Sequence, residues 1–225
     1  MIDLLRILVL NKEIANYLCR NQNLSYLTTK QAQPNSNRYF DILINMISSD
    51  YPVITMLIFR LLSNLFKSVS DLKTNQKVLA FILNERIFLL KKMHHLLESQ
   101  NKILQTSLST VILNYSILFT KLTSFSDKLT NADLTELARE NIEFLNDSQT
   151  LELISNWDPE ALFRVLVCFG TLLSDSNSHL DLPILLSIIQ STGELKKLCD
   201  YISSKADKYP EKIKKCNSYL KRLAE

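Results

Sequence analysis

The chain of 225 residues contains 42 Leu and 20 Ile but only two glycines, Gly170 and Gly193, so it is rich enough for a sizeable core and poor in the material of phosphate loops, Rossmann fingerprints and glycine-punctuated hairpins. Its net charge of +3 conceals a segregation: residues 60–92 carry seven Lys/Arg against two acids, residues 127–160 nine acids against two bases, and residues 194–225 nine Lys/Arg against five acids. The basic stretches are too dilute to point to nucleic acid, and the longest strictly apolar run, Val78 to Leu83, falls far short of the ~18 residues of a spanning helix. A soluble, non-membrane chain is therefore expected.

In chain order, apolar residues recur at intervals of three and four, which predicts helices over residues 2–20, 37–48, 52–68, 75–84, 86–99, 101–122, 131–145, 148–156, 158–174, 182–191, 194–204 and 209–223. Met1 leads straight into Ile2-Asp3-Leu4-Leu5-Arg6, with no pattern of a secretory leader. Polar clusters such as Gln31 to Asn37, Ser68 to Thr74, Ser124 to Asn131 and Ser174 to Ser178 separate the periodic segments. Pro52, Pro159 and Pro183 stand where first turns begin, with Asp50, Asp158 and Asp181 as nearby caps, and Gly193 divides two helical patterns. Cys19, Cys168, Cys199 and Cys216 lie at irregular spacing inside helical patterns, which suits reduced thiols of the cytosol or nucleus.

One helix type recurs. The segments beginning at Leu5, Phe59, Ser109 and Phe163 can be placed in register, with starts 54, 50 and 54 residues apart. Each is apolar nearly all round except for a narrow polar stripe, of which Arg60, Asn64 and Lys67 at i, i+4 and i+7 are the clearest case. A helix of that kind is covered on two sides and shows one edge to water. A period of about fifty residues with two or three helices per unit predicts an all-α, armadillo-like or HEAT-like solenoid, the alternative being a globular bundle whose Leu-rich helices merely resemble one another.

Signals for catalysis and metal binding are poor. His94 and His95 are adjacent and point about 100° apart on a helix, His179 lies in a polar connection, and no Cys-x-x-Cys, His-Glu-x-x-His, Gly-x-Ser-x-Gly or P-loop pattern occurs. Glu136 and Glu140 read as a solvated face or an acidic docking patch. The basic stripe is the better candidate. Arg6, Arg60 and Arg164 occupy equivalent places, and Asn64 and Asn114 follow the first polar position by four. Side-chain amides offer a peptide backbone both donor and acceptor, while guanidinium forks suit carboxylates. For Arg164 the bland alternative is a local ion pair with Glu160, four residues earlier.

The segments Met56-Leu57-Ile58-Phe59-Arg60-Leu61-Leu62-Ser63-Asn64-Leu65-Phe66, Thr110-Val111-Ile112-Leu113-Asn114-Tyr115-Ser116 and Ala161 to Leu173, which contains Phe163-Arg164 and Gly170-Thr171-Leu172-Leu173, resemble three signature helices of the PUL domain found at the end of phospholipase A-2-activating proteins. The resemblance extends from about Ile2 to the last helix and implies an armadillo-like domain over residues 1–225, expected to be short of the family's most N-terminal helices. It implies a non-enzymatic adaptor, without cofactor or metal, whose basic groove binds the acidic C-terminal tail of the hexameric ubiquitin-selective AAA ATPase, valosin-containing protein, in ubiquitin-dependent degradation. Arg60 and Arg164 carry over as tail-binding arginines, Arg6 more weakly. Asn64, Asn114 and Tyr115 match signature positions, and Lys67 extends the stripe. The WD-repeat propeller and ubiquitin-binding PFU domain that accompany the family have no counterpart in this chain, so ubiquitin is expected only as an indirect partner. A monomer in cytoplasm and nucleus is expected, with an exposed apolar N-terminal edge on Ile2, Leu5, Leu8 and Val9.

Overall fold

Short polar side chains set most of the helix starts. The computed structural model describes residues 38–48, 50–68, 89–121 and 130–225, and no strand occurs among them. Helix α1 spans Arg38–Asn45, α2 Pro52–Ser68, α3 Lys102–Lys121, α4 Asn131–Leu145, α5 Ser148–Ser155, α6 Pro159–Leu172, α7 Leu182–Thr192, α8 Glu194–Ser204 and α9 Glu211–Ala224; residues 89–94 are also helical. The helices expected over 2–20 and 75–84, with Arg6, Cys19 and the apolar edge at Ile2, Leu5, Leu8 and Val9, lie outside the described residues.

Thr130 opens α4 with a reciprocal box, its Oγ1 accepting from Asp133 N at 3.2 Å while Asp133 Oδ2 accepts from Thr130 N at 2.8 Å. Asp147, Asp158 and Asp181 accept from backbone N–H groups in the first turns of α5, α6 and α7, and Pro159 is the first residue of α6 and Pro183 the second of α7. Asp50 departs from expectation. It takes the Ser48 hydroxyl at 3.1 Å, and the entry to α2 is tied instead by Thr55, whose hydroxyl donates to Ser48 O at 2.7 Å and accepts from Ser48 N at 3.0 Å. Gly193 ends α7 and starts α8 by itself, at φ 68°, a left-handed conformation that glycine adopts without a Cβ penalty.

Contacts between distant helices reveal the architecture. Gln105 Oε1 accepts from Asp158 N, Arg164 donates to Thr110 Oγ1, and the Cys168 thiol lies against Ser116. The first two pairs are separated by 53 and 54 residues, and the third keeps that interval within two. An antiparallel pair would change its interval by two for every residue travelled, so α3 and α6 run parallel. The same holds for α6 and α9, where Glu160 meets Lys212 and the Cβ position of Gly170 lies 4.0 Å from the Tyr219 ring. Helix α2 joins the row through the rings of Phe66 and Tyr115, 5.6 Å apart.

The principal packing partners of this row are α2 with α3, α3 with α6, and α6 with α9. Helices α4, α5, α7 and α8 form a second layer behind it and repeat at a similar interval: Thr135 Oγ1 accepts from Asp181 N at 3.0 Å, and Asn146 donates to Thr192 Oγ1 at 2.7 Å while accepting from Leu195 N at 3.1 Å. An up-and-down bundle alternates direction between neighbours. Parallel helices stacked at a fifty-residue step, with connecting helices behind, make an armadillo-like α-solenoid.

A continuous core unites the layers. In α2, Ile58, Phe59, Leu61, Leu62 and Leu65 are buried; in α6, Ala161, Leu162, Val165, Leu166, Phe169 and Leu172 are fully so. Buried polar groups act as staples between units. Trp157 Nε1 donates to Leu97 O at 3.1 Å, Asn141 to Ser116 Oγ at 2.9 Å, and Asn217 to Cys199 O and Ser203 Oγ at 3.0 Å each. Burial pushes the Cys168 and Cys199 thiols up to about 12 and Cys216 to about 11, which leaves them protonated and unreactive at neutral pH.

Candidate groove site

The edge that each inner helix shows to solvent is legible position by position. On α6, Glu160, Phe163, Arg164, Val167, Gly170 and Thr171 are half-buried, at spacings of three and four, while the intervening apolar side chains are covered. On α3 the corresponding stripe is Thr106, Thr110, Leu113, Asn114 and Ile117. On α2, Arg60 is exposed between Phe59 and Leu61, which are 0 % and 1 % exposed, and Asn64 follows half-buried one turn later. The stripes of α3 and α6 are joined directly, since Arg164 reaches Thr106 and Thr110, and α2 packs against α3 as its preceding neighbour in the chain order of the row.

Arg164 shows how that surface is built. Its Nη1 donates to Thr106 O and Thr110 Oγ1, both at 3.1 Å, and its Nη2 donates to Glu160 Oε1 at 3.3 Å. The guanidinium is thus anchored on α3 by one nitrogen and directed along α6 by the other, with its side chain still 25 % exposed. Thr110, equivalent to Arg164 in the repeat register, is the residue it touches. The local pair with Glu160 is present as well, so anchoring and pairing coexist. Glu160 does not stop there: its other oxygen meets Lys212 of α9, and Lys212 Nζ stands 4.6 Å above the Phe163 ring, an arrangement in which the ammonium faces the negative side of the aromatic quadrupole.

Asn114 and Tyr115 diverge. The Asn114 amide lies in the stripe, and its Nδ2 is covered and has no acceptor among the described residues. Turning that amide outward breaks no hydrogen bond of the nitrogen. Tyr115 is 2 % exposed and packs on Phe66, so its ring braces α2 against α3 beneath the groove, and direct contact with a ligand, expected from its signature position, is replaced by a supporting place in the core. Lys67 lies in α2, with its side chain outside the described set, as is the whole of Arg6. Phe163, Thr106, Thr110 and Lys212 were not singled out by sequence. A further step of about fifty residues beyond Phe163 reaches α9, but its lysine-rich pattern hides the relation.

Other surface features lie in the second layer. A depression of about 430 Å³ lined by Asn131, Glu136, Arg139, His179 and Asp181 separates the start of α4 from the connection to α7, and its arginine is held by Glu136 and Glu143 at 2.5 and 2.7 Å. His94 sits edge-on to Phe144, 6.5 Å between centroids, and His95 is exposed. Among the described residues no three His, Cys, Asp or Glu side chains gather as metal ligands, and no helix is long and apolar enough to cross a membrane.

Among solved structures, a designed armadillo repeat protein aligns over 100 % of both chains at 10 % identity, with a TM-score of 0.33. No curated protein matches the sequence. The family model described as the PUL domain matches residues 1–218; with nearly the whole chain inside that match, including all three signature helices and the face they expose, this chain belongs to the PUL domain family.

Proposed function

We propose that this helical protein-interaction module is a non-enzymatic adaptor whose inner row of helices binds the acidic C-terminal tail of the ubiquitin-selective AAA ATPase, valosin-containing protein, in the cytoplasm and nucleus, and so serves ubiquitin-dependent degradation and ubiquitin homeostasis. The observation that carries the reading is that Arg60 and Arg164 both keep access to solvent on helices that pack against α3, within a chain of the PUL family. Guanidinium groups take carboxylates in forked hydrogen bonds. Asn64 and the Asn114 amide supply main-chain partners to an extended tail, Tyr115 backs the surface, and Lys67 and Arg6 are assigned to tail binding from the sequence register alone. Ubiquitin is reached indirectly, through the segregase or other domains.

A scaffold that offers its acidic stretch to a basic partner is less well supported, because Arg139 already occupies Glu136 and Glu143. The test is a titration of the monomeric protein with the segregase's last ten residues and with the same peptide carrying amides in place of its acids. Affinity on the order of micromolar is expected for the acidic form, for a tail that loses conformational freedom on binding. It should weaken severalfold between 50 and 500 mM salt. Equal binding of both peptides, or indifference to salt, would contradict the proposal.

A further inference from the structure

The carboxylate that a bound acidic peptide would offer to Arg164 is already there, and it belongs to the protein. Glu160 gives one oxygen to Arg164 Nη2 at 3.3 Å and the other to Lys212 on the neighbouring helix. Arg164 does not depend on it for position, since Nη1 is fixed separately by Thr106 O and Thr110 Oγ1. Lys212 is also placed independently, over the Phe163 ring. The two cations therefore converge on one point from α6 and α9, with an aromatic face beside it, and the group filling that point is a side chain roughly half exposed, 45 % by accessibility. Such an exposed contact is weak, and an incoming carboxylate that brings further contacts can displace it.

We infer that Glu160 is a resident competitor: it occupies the carboxylate seat formed by Arg164 and Lys212, and an acidic side chain of the bound peptide takes its place. This rests on the groove reading above and extends it to α9, making Lys212 a further contact residue and Glu160 a setting of affinity. The occupant is an extended acidic peptide, argued from the two cations and from the continuity of this seat with the stripe on α3 and α6. Glu160 has a local reason to be acidic as well, standing in the first turn of α6, where a negative charge is attracted to the positive end of the helix dipole. That reason would be served without the two cations, so it does not account for their convergence.

The experiment uses the full chain and a fluorescent acidic peptide in low salt, with wild type, Glu160→Gln, Lys212→Gln and the double variant, each checked by circular dichroism and urea unfolding. Glu160→Gln keeps the side chain's length and removes its charge. If it is a competitor, the peptide binds about two- to fivefold tighter to this variant, the size of an exposed ion pair, and the gain shrinks in 1 M salt. Lys212→Gln weakens binding, and Glu160→Gln yields a smaller gain in that background, because the seat has lost one of its cations. Unchanged or weakened binding on Glu160→Gln, with wild type binding normally, would overturn the competitor and leave the groove reading intact; weakening would make Glu160 a positioning residue. Absence of binding by all four folded proteins would overturn both. Binding by Glu160→Gln alone would support the inference in its strongest form.

Discussion

Arg164 was visible in the sequence as a cation in an otherwise buried pattern, but its partners were only half visible. The pair with Glu160 follows from a spacing of four, whereas Thr106 and Thr110 lie 58 and 54 residues away and Lys212 lies 52 residues beyond Glu160, distances over which no local rule operates. Tyr115 illustrates the converse. Its place in a signature motif suggests contact with a ligand, yet helical direction decides where the ring points, and it points into the α2–α3 seam. The staples were illegible for the same reason. Asn146, Asn217 and Trp157 look like ordinary polar and aromatic residues until the fold brings their partners. Trp157 Nε1 donates to Leu97 O in a buried setting, so Trp157→Phe leaves a carbonyl without its donor; a loss of about 1–3 kcal/mol in urea unfolding is expected, and no change in the midpoint would show that the bond contributes nothing.

At the scale of the element, most boundaries were legible. The expected spans 52–68, 131–145 and 194–204 coincide with α2, α4 and α8, and 101–122 differs from α3 by one residue at each end. Capping chemistry is local, so Asp158 and Asp181 announce their helices without knowledge of the fold, although Asp50 does not cap α2. Helix α9 was read as a helix but not as a member of the row. It buries Ile213, Asn217, Leu220 and Ala224 along one face only, so it lacks the all-round apolar pattern by which the other inner helices were aligned. The packing of α6, α8 and α9 carries a pH dependence through their thiols. Cys168 titrates near 9.0 in an unfolded chain and at about 12 when buried, so the unfolded state loses the proton first. The stabilisation is complete well below pH 9 and declines as pH rises through 9 toward 12, by about 1.4 kcal/mol at pH 10 from this thiol alone. Denaturant midpoints measured from pH 8 to 10 should fall less steeply for Cys168→Ala than for wild type. Equal slopes would refute this linkage.

For the molecule as a whole, the fifty-residue recurrence proved the most informative part of the sequence, because it reported a physical step from one parallel helix to the next. The polar stripe within each recurring segment already marked the edge that stays uncovered; what it could not report is the second layer of α4, α5, α7 and α8 that covers the rest. Arg60 and Arg164 both keep access to solvent, and the proposed site spans several units. A surface distributed in this way predicts that cations on different helices contribute to one binding event. The direct measurement is the affinity of a fluorescent peptide of the segregase's acidic tail for wild type, Arg60→Glu and Arg164→Glu, with helicity of each verified by circular dichroism. Saturable binding by wild type, lost by at least about tenfold in each folded variant as charge reversal replaces attraction with repulsion, is the expected result; binding that survives both reversals, or no binding by folded wild type, would contradict the account.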